Sequence, residues 1–328
     1  MIARRSITKY LYGLVVLVGF LPAGVQAQTG YPARTIRFIV PFTPGGSADI
    51  FARPIAQKMS ESMGQQVVVE NRPGSGGVLG SEAAAKAPPD GYTIMMGLTA
   101  NVAVNPALYA KLPYDPLRDF APVTLVASAP YALVVPTSLP ARNAKELVAL
   151  ARAKPGELAY VSLGSGSMGH LSGELLASTA GVRLLHVPYK TLGQAIPDLM
   201  SGQVQLMFLG IASAQPHVRA GKLRAIAVSG ARRSPALPQV PTVMESGIRG
   251  FEVTGWYGVF VPTGTPQEII ARLHKEIVRA LSLPDVRDRL SGEGAELVGN
   301  SPREFDGFVR SELAKWAKVV KLSGAKAE

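Results

Sequence analysis

The sequence contains no cysteine, and histidine is scarce among its 328 residues. Without cysteine, the chain has no disulfide framework, no cysteine-bound zinc or iron–sulfur cluster and no thiol nucleophile. The four histidines are His170, His186, His217 and His274, and no two of them have the helical spacing of paired metal ligands. We therefore expect no metal site.

Charged residues are also few, at 17% of the chain, and aromatic residues make up 7%. With 47% hydrophobic residues, 34 glycines and 26 prolines, the composition is typical of a globular protein with many short turns and excludes a disordered or collagen-like chain. The length allows two domains. Beyond residue 27, no apolar run approaches the roughly 18 residues that indicate a membrane-spanning helix.

The N-terminal segment has the features of a secretory signal peptide. Three basic residues, Arg4, Arg5 and Lys9, precede an apolar run over 10–21, and a short segment of mostly small residues ends in Val25-x-Ala27. A membrane anchor is the alternative, but about a dozen apolar residues are too few to span a bilayer. We predict export, with cleavage near Ala27 and a mature chain that begins near Gln28.

The formal net charge of the whole chain is +11, and the three basic residues of the signal segment leave +8 for the mature protein. Such an excess attracts anions. Because the basic residues are scattered and form no stripe interleaved with aromatic residues, we expect no nucleic-acid partner.

Strand-like runs alternate with glycine loops and helical patterns along the mature chain. In the first such unit, the β-branched run over 35–42 is followed by the loop 43–47 and a helical pattern over 48–63, in which Pro54 predicts a late or bent start. Comparable units begin at 66–70, 92–98, 158–163 and 204–209. The alternation predicts an α/β fold with a parallel sheet, in which the glycine loops at the strand ends converge on one cleft.

Two long apolar segments, 121–136 and 251–262, are candidates for crossings between two lobes. The first is too long and too interrupted by proline for one ordinary strand, and the second has the same character. The intervening stretch would be an inserted domain. The predicted organisation is a signal peptide over 1–27, lobe 1 over 28–129 plus 252–328, and lobe 2 over 130–251. Both tryptophans, Trp256 and Trp316, are expected in the core.

Enzyme chemistry has little support in the motifs. The segment 164–169 matches G-x-G-x-x-G, but no acidic residue follows at the distance that a dinucleotide site needs. The G-x-S-x-G pentad of serine hydrolases and the Walker A motif are both absent from the sequence. A cryptic hydrolase that uses Ser167 and His170 is the enzyme alternative that remains, and we expect no catalysis and no cofactor.

The glycine loops that precede helices are suited to an anion, and a carboxylate is the simplest guest. Free amide groups and the positive end of the helix dipole lie at such positions. Gly45 and Gly46 would bring their amides to the carboxylate, whereas Asp49 in the first helical turn would bond loop N–H groups from behind. The alternative is that these glycines merely permit tight turns.

Motifs in the same order along the whole mature chain resemble the Bug-type substrate-binding proteins of tripartite tricarboxylate transporters. They are Tyr31-Pro, 36–49 (IRFIVPFTPGGSAD), 67–77 (VVVENRPGSGG), 89–93 (PDGYT), 105–109 (NPALY), 111–116 (KLPYDP), His170-Leu, 186–190 (HVPYK), 221–225 (GKLRA), 240–242 (VPT), 264–266 (GTP) and Trp316.

The resemblance implies a two-lobed periplasmic binding protein of type II-like fold, with two crossover strands and a sheet flanked by helices in each lobe. It implies a monomer in the periplasm that captures a small organic carboxylate and passes it to the membrane subunits of a tripartite tricarboxylate-type transporter. A ligand sensor for a signalling receptor is the alternative, because both tasks need the same fold.

The resemblance also implies the site, in which loop backbone and water hold the carboxylate. Lobe 1 would contribute Phe42, Thr43, Pro44, Gly45, Gly46, Ser47, Asp49, Thr99, Ala100 and Asn101. Lobe 2 would contribute Ser165, Gly166, Ser167, His170, Phe208 and Leu209.

Two departures from the family pattern affect the expected shape of a loop and the expected class of ligand. Thr191-Leu192 stands where the family often has glycine after HVPYK, so this loop is expected to differ in shape. Leu209 stands where several members have aspartate, which leaves an ammonium group without a counter-charge and argues against an amino-acid ligand. Together, Phe208 and Leu209 predict that the wall of the cleft opposite the Gly45-Gly46 loop is apolar.

Overall fold

The computed structural model describes residues 30–325 except positions 165, 190 and 293. From Pro32 onward, the described residues form one compact unit. The predicted signal peptide over 1–27 and its cleavage site lie outside the described residues. Within the described part of the chain, no helix is both long and apolar enough to cross a membrane.

The described strands form one ten-stranded sheet with two halves that share a long strand. The order is β2-β1-β3-β9-β4-β7-β5-β6, and β8 and β10 also pair with β4. The strands are β1 Ile36–Val40, β2 Val67–Asn71, β3 Thr93–Leu98, β4 Phe120–Pro136, β5 Ala159–Ser162, β6 Leu185–Pro188, β7 Leu206–Gly210, β8 Leu223–Val228, β9 Thr254–Pro262 and β10 Glu296–Leu297. We call the half built on β1, β2, β3 and β9 lobe 1, and the half built on β5, β6, β7 and β8 lobe 2.

Parallel pairing dominates within each half, as the alternating units predict. In lobe 1, β1 lies between β2 and β3 and is parallel to both. In lobe 2, β5 is parallel to β6 and β7. The long strand β4 and strand β9 run antiparallel to their neighbours. The carboxyl ends of the parallel strands therefore deliver the following loops to a common edge in each lobe.

The single strand β4 passes from one half to the other. Its first part, up to Pro130, pairs with β9, whereas Tyr131 and the residues after it pair with β7 and β8. The expectation that 121–136 is too long for one strand is wrong, because β4 is continuous over Phe120–Pro136, with register shifts along the β9 pairing between Pro122 and Thr124 and between Leu125 and Ala127. The change of partner at Pro130 and Tyr131 places these residues between the lobes.

Helices cover both halves of the sheet. They are α1 Ser47–Met63, α2 Val78–Ala85, α3 Asn105–Leu108, α4 Ala144–Ala153, α5 Met168–Ala180, α6 Leu192–Ser201, α7 Ile211–Arg219, α8 Gln267–Ser282, α9 Pro284–Gly292 and α10 Pro302–Ser323, with a 3₁₀ turn at Ser75–Gly77 and a π-helical turn at Thr99–Val104. Of the late or bent start predicted for the first helix, the late start is wrong, because α1 begins at Ser47 and continues through Pro54. Burial of its apolar face offsets the hydrogen bond that the proline removes.

Both tryptophans are buried, as predicted. Trp256 on β9 and Trp316 on α10 are at most 1% exposed, and each indole N–H donates to Oε2 of Glu312 at 2.9 Å. Helix α10 packs against α5 of lobe 2 as well as against the π-helical turn of lobe 1. The C-terminal helix therefore connects the two lobes, with two buried indoles and one carboxylate at its centre.

Candidate functional site

A cleft of about 350 Å³ lies where the two lobes meet at the partner change of β4. This volume falls in the range of sites for small molecules. The described residues that line it come from both lobes and from β4: Ser47, Phe51, Ala129, Pro130, Tyr131, Ser162, Leu163, Ser167, Met168, Gly169, Leu192, Met207, Phe208, Leu209, Gly210, Ile211, Ala212, Ser213 and Tyr257.

Asp49 holds the loop before α1 from behind. Its Oδ2 accepts hydrogen bonds from the Gly45 amide at 2.9 Å and from Arg53 Nε at 2.8 Å, and its Oδ1 accepts one from Asn71 Nδ2 at 3.0 Å. Burial raises the pKa of Asp49, but the hydrogen bonds from Arg53, Gly45 and Asn71 outweigh burial and hold the pKa below its usual value. The predicted bond between Asp49 and a loop N–H group is confirmed.

The amides of Gly45 and Gly46 are engaged within the loop. The Gly45 amide donates to Asp49, and the Gly46 amide donates to the Thr43 carbonyl at 3.2 Å. Both amides therefore have acceptors within the loop, and ligand binding by them stays a prediction. Among the described residues, the amides of Ser47 and Ala48 have no protein acceptor, as is usual in the first turn of a helix. Ser47 lines the cleft.

The two glycines also differ in backbone conformation. Gly45 has a φ of +75°, which favours glycine, whereas Gly46 is extended, with a φ of −74° and a ψ of 168°. A Cβ at Gly46 would lie 3.2 Å from the Thr43 carbonyl oxygen. Conformational freedom is thus required at Gly45, and space is limited at Gly46.

The remaining predicted residues of lobe 1 lie beside the cleft rather than on its described lining. Phe42 is half-buried, its carbonyl accepts from Asn71, and its ring is close to Gly77. Thr43 and Pro44 are exposed on the loop. Their place in the structure is to shape the entry into α1.

The π-helical turn at Thr99, Ala100 and Asn101 has its polar side chains bonded inward. Thr99 Oγ1 accepts from the Trp256 amide at 3.0 Å. Asn101 Oδ1 accepts from the Leu98 amide, and its Nδ2 donates to Ser81 Oγ, both at 2.8 Å. Ala100 is half-buried between them. These side chains fix the end of β3 and are absent from the described lining of the cleft.

In lobe 2, the loop before α5 is held by its own helix. The Gly166 amide donates to His170 Nδ1 at 3.0 Å, and Ser167 Oγ caps the helix by accepting from the His170 amide at 3.3 Å. A Cβ at Gly166 would lie 2.6 Å from Leu108 Cδ2, so this loop contacts lobe 1. Ser167 lines the cleft, His170 is buried behind it, and Ser165 lies outside the described residues.

Two histidines and a tyrosine stack behind this loop. The rings of His170 and His186 are 4.1 Å apart, and Tyr160 lies 5.0 Å from His186. Burial lowers the pKa of His170. It also lowers the pKa of His186, which the neighbouring His170 depresses further, to about 4. Both imidazoles are therefore neutral near pH 7.

The described residues around Ser167 and His170 do not form the relay of a serine hydrolase. Ser167 Oγ meets the backbone amide of His170, not its ring. Ser162 Oγ lies 2.6 Å from His186 Nε2, but Ser162 is fully buried and also hydrogen-bonded to Gly164. The nearby carboxylate of Glu174 accepts from the Tyr160 hydroxyl at 2.6 Å instead of orienting an imidazole. These contacts are those of a structural network.

Aromatic and thioether side chains form much of the lining, and most of them were not predicted. Phe51 and Tyr257 stack in lobe 1 with ring centroids 4.3 Å apart. Tyr131 of β4 and Met168 and Met207 of lobe 2 also line the cleft. The predicted Phe208 and Leu209 are buried on the same lining. In the sequence, only the position of Phe51, one helical turn after Ser47, indicates that an aromatic side chain lines the cleft.

Four helices begin at the cleft. First-turn residues of α1 (Ser47), α5 (Met168 and Gly169), α6 (Leu192) and α7 (Ile211 to Ser213) all line it. None of the described lining residues is Lys, Arg, His, Asp or Glu. The positive ends of four helix dipoles therefore meet in a cleft whose described lining has no charged side chain. Across the described residues, no group of three His, Cys, Asp or Glu side chains is placed to hold a metal ion.

Comparison with known proteins places these features in a family. A model of the tripartite tricarboxylate transporter family receptor matches residues 51–325. Protein BugT of Bordetella pertussis (strain Tohama I) is 39% identical over 315 residues, which is 96% of this chain and 96% of that protein.

Solved structures agree with this assignment. R. palustris Rpa4515 with adipate has a TM-score of 0.77 at 38% identity and covers 90% of this chain and 99% of its own. The periplasmic binding protein BugD has a TM-score of 0.74 at 35% identity and covers 91% of this chain and 100% of its own. The Bug-type resemblance and the two-lobed α/β fold are confirmed, and the chain belongs to the tripartite tricarboxylate transporter family of receptors.

Proposed function

We propose that this protein captures a small organic carboxylate in the cleft between its lobes and delivers it to the membrane subunits of a tripartite tricarboxylate-type transporter. The observation that carries the proposal is the convergence of four helix N-termini on a cleft with no charged side chain in its described lining. Helix dipoles and free amides stabilise an anion there without a competing carboxylate.

The carboxylate is proposed to bind at the first turn of α1. The amides of Ser47 and Ala48 and the hydroxyl of Ser47 are the available donors. Asp49, whose charge would repel an anion, is turned behind the loop and compensated by Arg53. A bound adipate in the related R. palustris protein supports the same class of ligand.

The other predicted site residues keep a place in this proposal. Ser167, Phe208 and Leu209 are proposed to contact the ligand from lobe 2, where Gly166 and His170 shape the loop. In lobe 1, the remaining residues set the loop and the end of β3: Phe42, Thr43, Pro44, Gly45, Gly46, Asp49, Thr99, Ala100 and Asn101. Ser165 is proposed to belong to the lobe 2 loop.

The lobes are proposed to close on the ligand about β4 and the return segment before β9. The lobe boundaries that we propose, 28–129 plus 252–328 and 130–251, agree with the partner change of β4 between Pro130 and Tyr131. A ligand that touches both lobes stabilises the closed state through its differential affinity for it.

We further propose a periplasmic location, reached with the signal peptide over 1–27 and followed by cleavage near Ala27. The protein is proposed to act as a monomer. It is also proposed to have no catalytic activity, since its buried Ser and His groups form a structural network.

Two measurements on the purified mature chain test the function. A thermal-shift screen over mono- and dicarboxylates is expected to show stabilisation by at least one acid and none by lysine or arginine. Small-angle scattering with that acid is expected to show compaction. The carboxylate function is refuted if no acid raises the melting temperature, and an unchanged scattering profile at saturation refutes lobe closure.

A further inference from the structure

An aromatic wall lies one helical turn from the proposed carboxylate position. Ser47 and Phe51 are four residues apart on α1 and therefore lie on the same face, about 6 Å apart along the helix axis. The Phe51 ring stacks on Tyr257 of β9 with an interplanar angle of 19°. A ligand whose carboxylate bonds the Ser47 and Ala48 amides would place its next atoms against this stacked pair.

Lobe 2 presents a polarizable surface to the same space. Met168 at the start of α5 and Met207 on β7 line the cleft, together with Leu163. Thioethers make favourable contacts with aromatic rings and adapt their shape to a flat body. The apolar body of a ligand would thus have rings on one side and thioethers from the other lobe.

A second carboxylate finds no cation on the described lining. That lining holds no Lys, Arg or His side chain, and an ionised group moved among Met, Leu and Phe side chains loses its hydration without a compensating charge. The described lining therefore favours one anionic end and one uncharged end.

Tyr131 offers a donor on the lining of the cleft. It lies on β4 between the lobes and lines the cleft. A Cβ at Gly255 would be 2.9 Å from the Tyr131 hydroxyl, so the glycine leaves room for this group. Burial raises the pKa of Tyr131 and keeps the phenol neutral. Its hydroxyl has no hydrogen-bond partner among the described residues and is available to a polar substituent of a ligand.

We propose that the physiological ligand is an aromatic monocarboxylate, with its ring packed between the Phe51–Tyr257 pair and Met168 and Met207. This inference rests on the proposed carboxylate function and specifies the class of acid. Phe51 and Tyr257 are then the specificity-determining residues, and Tyr131 accommodates a ring substituent.

Calorimetric titration of the wild-type protein with a matched panel tests the proposal. The panel contains benzoate, phenylacetate, cyclohexanecarboxylate, hexanoate, succinate and adipate. An aromatic acid is expected to bind about three- to tenfold more tightly than cyclohexanecarboxylate, because ring–ring contacts add to apolar burial. Succinate and adipate are expected to bind at least about tenfold more weakly than the aromatic acids.

Substitution of Phe51 tests whether the aromatic wall causes the preference for aromatic acids. Phe51→Leu is expected to reduce the ratio of aromatic to cyclohexane affinity to about one, because it removes the ring and keeps an apolar side chain. Phe38→Leu is the matched control, since Phe38 is a fully buried lobe 1 phenylalanine that is not on the described lining. The control is expected to keep the wild-type ratio.

The outcomes separate the two proposals. If succinate, adipate or hexanoate binds most tightly, or if wild type does not discriminate benzoate or phenylacetate from cyclohexanecarboxylate, the aromatic proposal is overturned and the carboxylate function stands. If Phe51→Leu keeps the wild-type ratio, the aromatic wall is not the determinant and the proposal is also overturned. If no acid in the panel binds, the carboxylate function itself fails.

Discussion

Replacing Ser47 with proline removes two of the three proposed carboxylate donors, the Ser47 amide and hydroxyl, and retains the helix and the Ala48 amide. Ser47 is the first residue of α1, a position at which proline is favoured because its φ suits the helix and its N–H has no partner there. The preceding Gly46 has a ψ of 168°, which is compatible with a following proline. Among the described residues, neither the Ser47 amide nor its hydroxyl has a hydrogen-bond partner, so we expect ligand-free stability to change by less than about 0.5 kcal/mol.

The effect on binding is expected to be much larger. A hydrogen bond to a charged acceptor contributes about 1.5 to 3 kcal/mol, so Ser47→Pro should weaken binding about 10- to 150-fold. At a ligand concentration of 100 times the wild-type Kd, the ligand stabilises wild type by about 2.7 kcal/mol. A variant that binds about 30-fold more weakly retains only about 0.9 kcal/mol of this stabilisation.

The assay is the ligand-induced melting shift, measured with the acid that stabilises wild type most. Ser47→Ala removes the hydroxyl alone and separates its contribution from that of the amide. Gln267→Pro is the matched control, because Gln267 is the exposed first residue of α8 and lies off the described cleft lining. If Ser47→Pro keeps the full shift, the carboxylate does not bind at this turn. A large loss of ligand-free stability would refute the reasoning about the unused amide.

Three further predictions concern the groups behind the cleft. Asp49→Ala should lower stability by about 1 to 3 kcal/mol and weaken ligand binding, whereas Asp306→Ala in an exposed ion pair should cost at most about 1 kcal/mol by denaturant titration. Glu312→Leu should cost at least about 2 kcal/mol in the same assay, because two buried indole N–H groups lose their acceptor. Because the pKa of His186 is lowered in the folded protein, the unfolded chain binds more protons than the folded chain below about pH 6.5. The free energy of unfolding should therefore fall by about 2 kcal/mol between pH 7.5 and 5. His186→Gln should flatten this pH dependence.

The sequence was sufficient to predict the local units around the site. The β-branched run over 35–42 forms β1, the glycine loop follows it, and the acidic residue in the first helical turn bonds that loop. These features depend on residues that are neighbours in the chain. The apolar segment over 121–136 was predicted to cross between lobes, and β4 pairs with both.

The donors and the wall of the cleft could not be predicted in the same way. Which amide is free depends on the φ and ψ of each loop residue and on the acceptor that it meets, and residue types alone do not determine these. The aromatic wall of Phe51 and Tyr257 lies beside Tyr131, and the three residues are far apart in the chain. Their convergence follows from the order of β4 and β9 in the sheet and from the packing of α1 on that sheet, which are long-range properties that local patterns do not contain.

In our proposal, the net positive charge attracts anions in general, whereas the cleft selects among them. Residues 28–328 have a formal charge of +8, yet the described lining of the cleft carries no charged side chain. A diffuse positive surface raises the local concentration of any anion but does not distinguish one acid from another. In the proposed binding mode, helix N-termini hold a carboxylate at fixed donor positions without a mobile cationic side chain that would accept many geometries. This mode leaves discrimination to the uncharged part of the ligand, which is where Phe51, Tyr257 and Tyr131 are proposed to lie.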